Sequence, residues 1–275
     1  MNKKILLITL LFTLVGFFLF LFQQFSPQSL APTPLPTPTP FNPFPYQLPA
    51  IRSKPAYVLV LVGDSMTEAL GINAESLRQR LLAFYPNKDF VNLNYGFGGQ
   101  NILTLEKRLT KQTSYQGNSF PPILEQKFDL IIIESFAYNP LSHLPLEEGL
   151  EKQTQALDQA VKKIIETHPH SALVFLATIA PNKKMFAQGV YELSEEKRIQ
   201  WAEERIAYLK NHIQYAQARQ IPLINVYQKS LAPDGDGDLK YINPDNYLHP
   251  SHEGIDLISN SIAKFIFENK IFPSE

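Results

Sequence analysis

The chain has 275 residues, with 25 Lys and Arg against 26 Asp and Glu, a formal net charge of -1 and 44% hydrophobic residues, a globular composition with no electrostatic attraction for nucleic acid. The absence of cysteine excludes disulfides, thiolate metal sites and a cysteine nucleophile, so packing must supply the stability. Lys3 and Lys4 precede an apolar run from Ile5 to Phe22, broken only by Thr9, Thr13 and Gly16, a length that suits a hydrocarbon core. Residues 1–25 are therefore expected to form a single-pass membrane anchor with a cytoplasmic N-terminus; the alternative is a signal peptide, cleaved so that the rest is secreted. Both readings put the remainder outside the cytoplasm. Residues 26–55 are rich in alternating proline, which removes backbone donors and favours an extended polyproline tether over helix or sheet.

From residue 56 onward, strand-like and helix-like segments alternate. Tyr57–Val62 is a continuous apolar, β-branched run, and "FVNLN", "FDLIII", "ALVFLAT" and "IPLINVY" repeat that character, as strands covered on both faces would. Between them lie amphipathic stretches. Leu150, Leu157, Val161 and Ile164 share one helical face, as do Ile199, Ala202, Ile206, Leu209 and Ile213 after a Ser194 cap, and Ile255, Ile258, Ile262 and Ile266 form the face of a last helix. The alternation predicts one α/β domain over residues 56–275, with five parallel strands wrapped by helices on both sides.

In such a sheet, ligands bind outside the carboxyl ends of the strands. The polar clusters obey that rule: "GDS" (63–65), "NYGFGGQN" (94–101), "ESFAYN" (134–139) and "DNYLHPSHEG" (245–254) follow the first, second, third and fifth strands. Each cluster alone has an ordinary reading, a turn glycine or an Asn-Pro pair. Together they gather a hydroxyl, an imidazole, a carboxylate and spare amide donors, the parts needed for acyl transfer.

These residues resemble the SGNH or GDSL hydrolases, a superfamily of esterases and lipases. The resemblance implies a flavodoxin-like, three-layer α/β/α sandwich. "GDSMT" is similar to the first family block with its nucleophile at Ser65, "NYGFGG" to the second with Gly99 in the oxyanion position, and Asn139 matches the third-block asparagine; "DNYLHPS" resembles the last block, with His249 as the base. Two departures stand out. The third block reads "FAYNP" where the family has G-x-N-D, and the residue three before His249 is Asn246, with Asp245 one position further back. Asp245 is the expected triad acid, reached through a one-residue bulge; otherwise Asn246 or a backbone carbonyl orients the imidazole. His252 is a rival base, and His143, His168, His170 and His212 read as solvated side chains.

The implied chemistry is attack by Ser65 on an ester carbonyl, with the oxyanion held by the amides of Ser65 and Gly99 and by the Asn139 side chain. Expected substrates are small-molecule, lipid or cell-envelope glycan esters, including O-acetyl groups. An acyltransferase using the same acyl-enzyme, or an inactive glycan- or protein-binding module, are the alternatives. No cofactor is expected. Asp234, Asp236, Asp238 and Asp245 fall at positions 1, 3, 5 and 12 of a calcium-loop pattern, yet position 6 is Leu239, so a solvated acidic turn is expected and no metal.

Overall fold

The computed structural model describes residues 44–274, so the expected anchor and most of the proline-rich tether lie outside the described residues. Five strands, β1 (Ala56–Gly63), β2 (Asp89–Gly96), β5 (Leu130–Glu134), β6 (Ala172–Ala177) and β7 (Leu223–Asn225), form one parallel sheet in the order β2-β1-β5-β6-β7. A two-stranded antiparallel hairpin, β3 (Thr113–Tyr115) and β4 (Asn118–Phe120), stands apart from it. The helices are α1 (Ser65–Glu68), α2 (Glu75–Phe84), α3 (Leu105–Thr110), α4 (Leu146–Thr167), α5 (Glu195–Arg219), α6 (Val226–Lys229) and α7 (His252–Glu268).

The continuous apolar character of the strands follows from burial on both faces. Alternate residues go to different cores: Leu59, Leu61, Ile132 and Val174 join one apolar cluster with Ile258, Ile262 and Ile266 of α7. Val60, Val62, Ile131, Ile133 and Phe175 join another with Leu157, Val161 and Ile164 of α4. A sheet with period-2 side chains filling cores above and below it is the three-layer α/β/α sandwich expected of the sequence. Ser194 caps α5 as its hydroxyl accepts the Lys197 amide at 3.3 Å.

Among the described residues, no helix is long and apolar enough to cross a membrane. The packed domain begins before residue 56: Tyr46 is buried, its amide donates to the Arg219 carbonyl at 2.9 Å and its hydroxyl accepts the Leu173 amide at 2.8 Å.

His212 corrects the expectation of a solvated side chain. It lies on the inner face of α5, fully buried, with its ring stacked on Phe175 at 4.4 Å, and burial pushes the imidazole down to about 3. His168 is half-buried and stacked on Phe128, with Nε2 2.9 Å from the Leu124 carbonyl, whereas His143 and His170 are exposed.

Candidate active site

The end of β1 sets the position of Ser65. Gly63 and Gly96 are register partners on β1 and β2, and α1 lies directly across both. A Cβ on Gly63 would stand 2.1 Å from Thr67 Oγ1 and 2.7 Å from Glu134 Cβ; one on Gly96 would stand 2.2 Å from the Glu68 nitrogen. Gly63 thus serves close approach, where the sequence alone suggested a turn. Asp64 caps α1 by accepting the Met66 amide at 2.9 Å, which leaves Ser65 at the first helical position, half-buried at the rim.

Beneath the rim lies a buried ionic cluster. Glu134, at the end of β5, accepts the amides of Asp64 at 3.3 Å and Phe136 at 3.0 Å, and the Ser135 hydroxyl donates to its other oxygen. Burial raises the carboxyl pKa of both Asp64 and Glu134, Glu134 the more strongly, with the Asp64 charge adding to its rise. Arg108 of α3, itself 1% exposed, donates to the carbonyls of Gly63 at 2.6 Å and Tyr95 at 2.9 Å and to Thr104 Oγ1 at 2.8 Å. Burial pulls its guanidinium down to about 10, against the opposing pull of Asp64 and Glu134, so it stays charged at neutral pH. The sequence reading assigned no role to Glu134 or Arg108.

Asn139 follows β5 through a turn in which Phe136 is left-handed at φ 54 and the Asn139 amide donates to the Phe136 carbonyl at 3.2 Å. Its Nδ2 donates to Asp64 Oδ2 at 3.1 Å. One amide hydrogen is thereby anchored and the second is left for the cavity. Gly99 is left-handed at φ 72, a conformation that glycine adopts without strain.

Ser65, Gly98, Gly99, Asn139 and His249 border one cavity of about 520 Å³, together with Glu68, Tyr138, Phe186, Val190, Tyr191, Trp201, Arg205 and Leu248. That volume is in the range of small-molecule sites. Four of the five residues expected at the site therefore come together from separate loops. Asp245 is the exception: it is exposed, does not border the cavity, and its amide donates to Asn243 Oδ1 at 2.9 Å. Asn246 instead touches the base's own backbone, its Oδ1 accepting the amides of Leu248 at 2.9 Å and His249 at 3.0 Å. The rival base His252 has a side chain 86% exposed, beside Asp256, and does not border the cavity.

The acidic turn directs its carboxylates to backbone amides, Asp236 to Lys183 and Gly237, Asp238 to Lys240 and Asp234 to Asp236. Among the described residues, no group of three or more His, Cys, Asp or Glu side chains is disposed to hold a metal ion.

The model of the GDSL-like lipase/acylhydrolase family matches residues 61–257. The chain belongs to that family. A lipase/acylhydrolase from Enterococcus faecalis is similar in structure, with a TM-score of 0.54 at 18% identity over 78% of this chain and 96% of the other. A GDSL-like lipase from Bacteroides thetaiotaomicron gives 0.51 at 13% identity over 78% and 88%, and an acetyl xylan esterase gives 0.55 at 15% identity over 75% and 98%. At such identities the structural likeness speaks to the fold alone. No curated protein matches the chain by sequence. Membership of the GDSL-like family carries a lipolytic or esterase activity in the broad sense, the cleavage of ester bonds.

Proposed function

We propose that the protein is a serine esterase in which Ser65 attacks the ester carbonyl and His249 takes the hydroxyl proton, returning it to the leaving alcohol. Water then attacks the acyl-serine with His249 again as base, releasing the acid and restoring Ser65. The amides of Ser65 and Gly99 and the free amide hydrogen of Asn139 stabilise the oxyanion. The observation that carries this reading is that Ser65, Gly99, Asn139 and His249, drawn from four loops, border one cavity. Ser65 and His249 both border this cavity, where a bound ester can meet them. The contacts of Asn246 support it, in place of Asp245, as the residue that holds His249 in position.

The cavity combines aromatic walls with the charged edges of Glu68 and Arg205, which favours short acyl groups on polar alcohols over long aliphatic chains. Esters of envelope glycans or lipid headgroups fit that lining, and the apolar N-terminal run supports action outside the cytoplasm on a membrane tether. The test is turnover of p-nitrophenyl acetate, butyrate and decanoate by the full chain in mild detergent, beside Ser65→Ala, with fluorophosphonate labelling of the wild type. Expected are turnover that falls with acyl length, labelling at Ser65, and neither with the variant. A wild type that neither turns over nor labels would leave a binding module of the same fold.

A further inference from the structure

The hairpin β3–β4 belongs to none of the loops that supply the expected site residues, yet one of its hydroxyls touches two residues that border the cavity, Gly98 and Glu68. Tyr115 accepts the Gly98 amide at 2.8 Å and donates to Glu68 Oε1 at 3.0 Å. The Gln116 side chain, from the hairpin tip, donates to Glu68 Oε1 at 2.8 Å and lies 3.1 Å from the Tyr115 oxygen. A tyrosine hydroxyl has one proton to give and two lone pairs to fill, so this arrangement uses its full hydrogen-bonding capacity. Space is closed as well: a Cβ on Gly98 would stand 2.5 Å from Glu68 Oε2, 2.9 Å from the Tyr115 oxygen and 3.5 Å from Ser65 Cβ.

The ring of Tyr115 does separate work. It stacks on Phe97 with centroids 4.6 Å apart and planes 11° from parallel, and Phe97 packs edge-on against Phe120 at 4.7 Å and carries the Arg108 guanidinium at 4.5 Å. Tyr95 adds a ring contact to Phe120 at 5.4 Å and a hydrogen bond from its hydroxyl to the Pro121 carbonyl at 3.0 Å. The hairpin is therefore held by aromatic packing, and the Tyr115 hydroxyl is not needed to dock it.

Resting on the esterase reading above, we propose that Tyr115 is a positioning residue, whose hydroxyl pins the Gly98 peptide so that the following Gly99 amide is aimed at the developing oxyanion. Two successive glycines have the widest backbone freedom in the chain, and a donor stabilises a transition state best when it need not reorganise as charge appears. Glu68, one turn after the nucleophile, holds the phenol proton and leaves one lone pair of the oxygen to the Gly98 amide and the other to Gln116. Loss of the hydroxyl frees the Gly98 amide without removing any group that touches the substrate.

The test compares the full-length wild type with Tyr115→Phe and Glu68→Gln in p-nitrophenyl acetate turnover, inhibition by phenylboronic acid, which mimics the tetrahedral state, and thermal melting. For Tyr115→Phe the expected result is a kcat lower by about 10- to 100-fold with KM within about two-fold, the range for a misplaced but not deleted oxyanion donor. The inhibition constant of the boronate should rise by the same factor, while melting stays close to the wild type because the ring stack is kept. Glu68→Gln, which retains an acceptor for the phenol proton, should fall between the two. A Tyr115→Phe enzyme with kcat within two-fold of the wild type overturns the proposal, as does a kcat loss without a matching change in boronate affinity. A wild type lacking both turnover and fluorophosphonate labelling would overturn the esterase reading and this one with it; an active wild type beside an unimpaired Tyr115→Phe overturns this one alone.

Discussion

Replacing Arg108 with methionine tests whether the ionic cluster under Ser65 holds the site together. Methionine keeps much of the aliphatic stem but removes the guanidinium, so the carbonyls of Gly63 and Tyr95 lose donors at 2.6 and 2.9 Å, and Thr104 loses one at 2.8 Å. The Gly63 carbonyl keeps the Phe97 amide at 3.1 Å and Thr104 is half-buried, so each lost hydrogen bond costs about 1–1.5 kcal/mol. The buried carboxyls of Asp64 and Glu134 lose their nearby positive charge at the same time. The three lost bonds together set the expected loss at about 3–4.5 kcal/mol. For a domain of this size, about 2–4 °C per kcal/mol translates that into a melting temperature roughly 10 °C lower. Urea unfolding followed by the fluorescence of Trp201, the single tryptophan, measures it directly. Arg108→Lys should recover part of the loss, because it keeps the charge without the two-pronged geometry. A loss under about 1 kcal/mol for methionine, or equal losses for both variants, would refute the claim that Arg108 ties the ends of β1 and β2.

Asn139→Ala should lower kcat by about 10²- to 10³-fold with little change in KM, measured in steady-state turnover, because it deletes one oxyanion donor. His212→Leu should make the protein less sensitive to acid in pH-dependent urea unfolding. The folded imidazole sits at about 3 against an ordinary 6.5, so the unfolded chain binds the extra proton and stability falls as pH drops from 6.5 towards 3; at pH 5 the wild type should have lost about 2 kcal/mol through this group and the variant none. Asn246→Ala should reduce kcat by more than Asp245→Ala, since the Asn246 oxygen holds the amides of Leu248 and His249 and Asp245 touches neither; a larger loss on replacing Asp245 would restore the carboxylate to the triad.

The strands were legible because burial on both faces leaves a one-dimensional trace, an unbroken apolar run such as Leu59–Val62 or Leu130–Ile133. The polar clusters that hold Ser65, Gly99 and Asn139 were legible because each lies in the loop after a strand, where ligands gather, whereas the single residues in them, and His249, were picked out by their resemblance to family blocks. What stayed hidden depends on partners remote in the chain. Arg108 sits in "LEKRLT" directly after Glu106 and Lys107, which look solvated, and its burial is decided by carbonyls 45 and 13 residues away. The hairpin 113–120 is short and polar, with Gln116–Gly117 at its tip as the only local cue. His212 did leave a signal, since it falls three residues after Leu209 on the buried face of α5, but its polarity outweighed its periodicity.

The turn after β5 shows how tertiary contacts can hold a strained backbone conformation. In "FAYNP" no glycine is available to ease the turn, yet Phe136 still adopts φ 54, a conformation that costs a non-glycine residue about 1–3 kcal/mol. The turn persists because both of its ends are tied to buried carboxyls: the Phe136 amide to Glu134 at 3.0 Å, and the Asn139 side chain to Asp64 at 3.1 Å. Glu134 also accepts the Asp64 amide, so one carboxyl at the end of β5 links the nucleophile loop to the asparagine loop. The orientation of Asn139 is therefore set from below by the buried carboxyls of Asp64 and Glu134, and not by local backbone preference. It follows that the geometry of the oxyanion donors and the stability of the sheet ends rest on the same few buried groups, and a change at Glu134 should disturb both together.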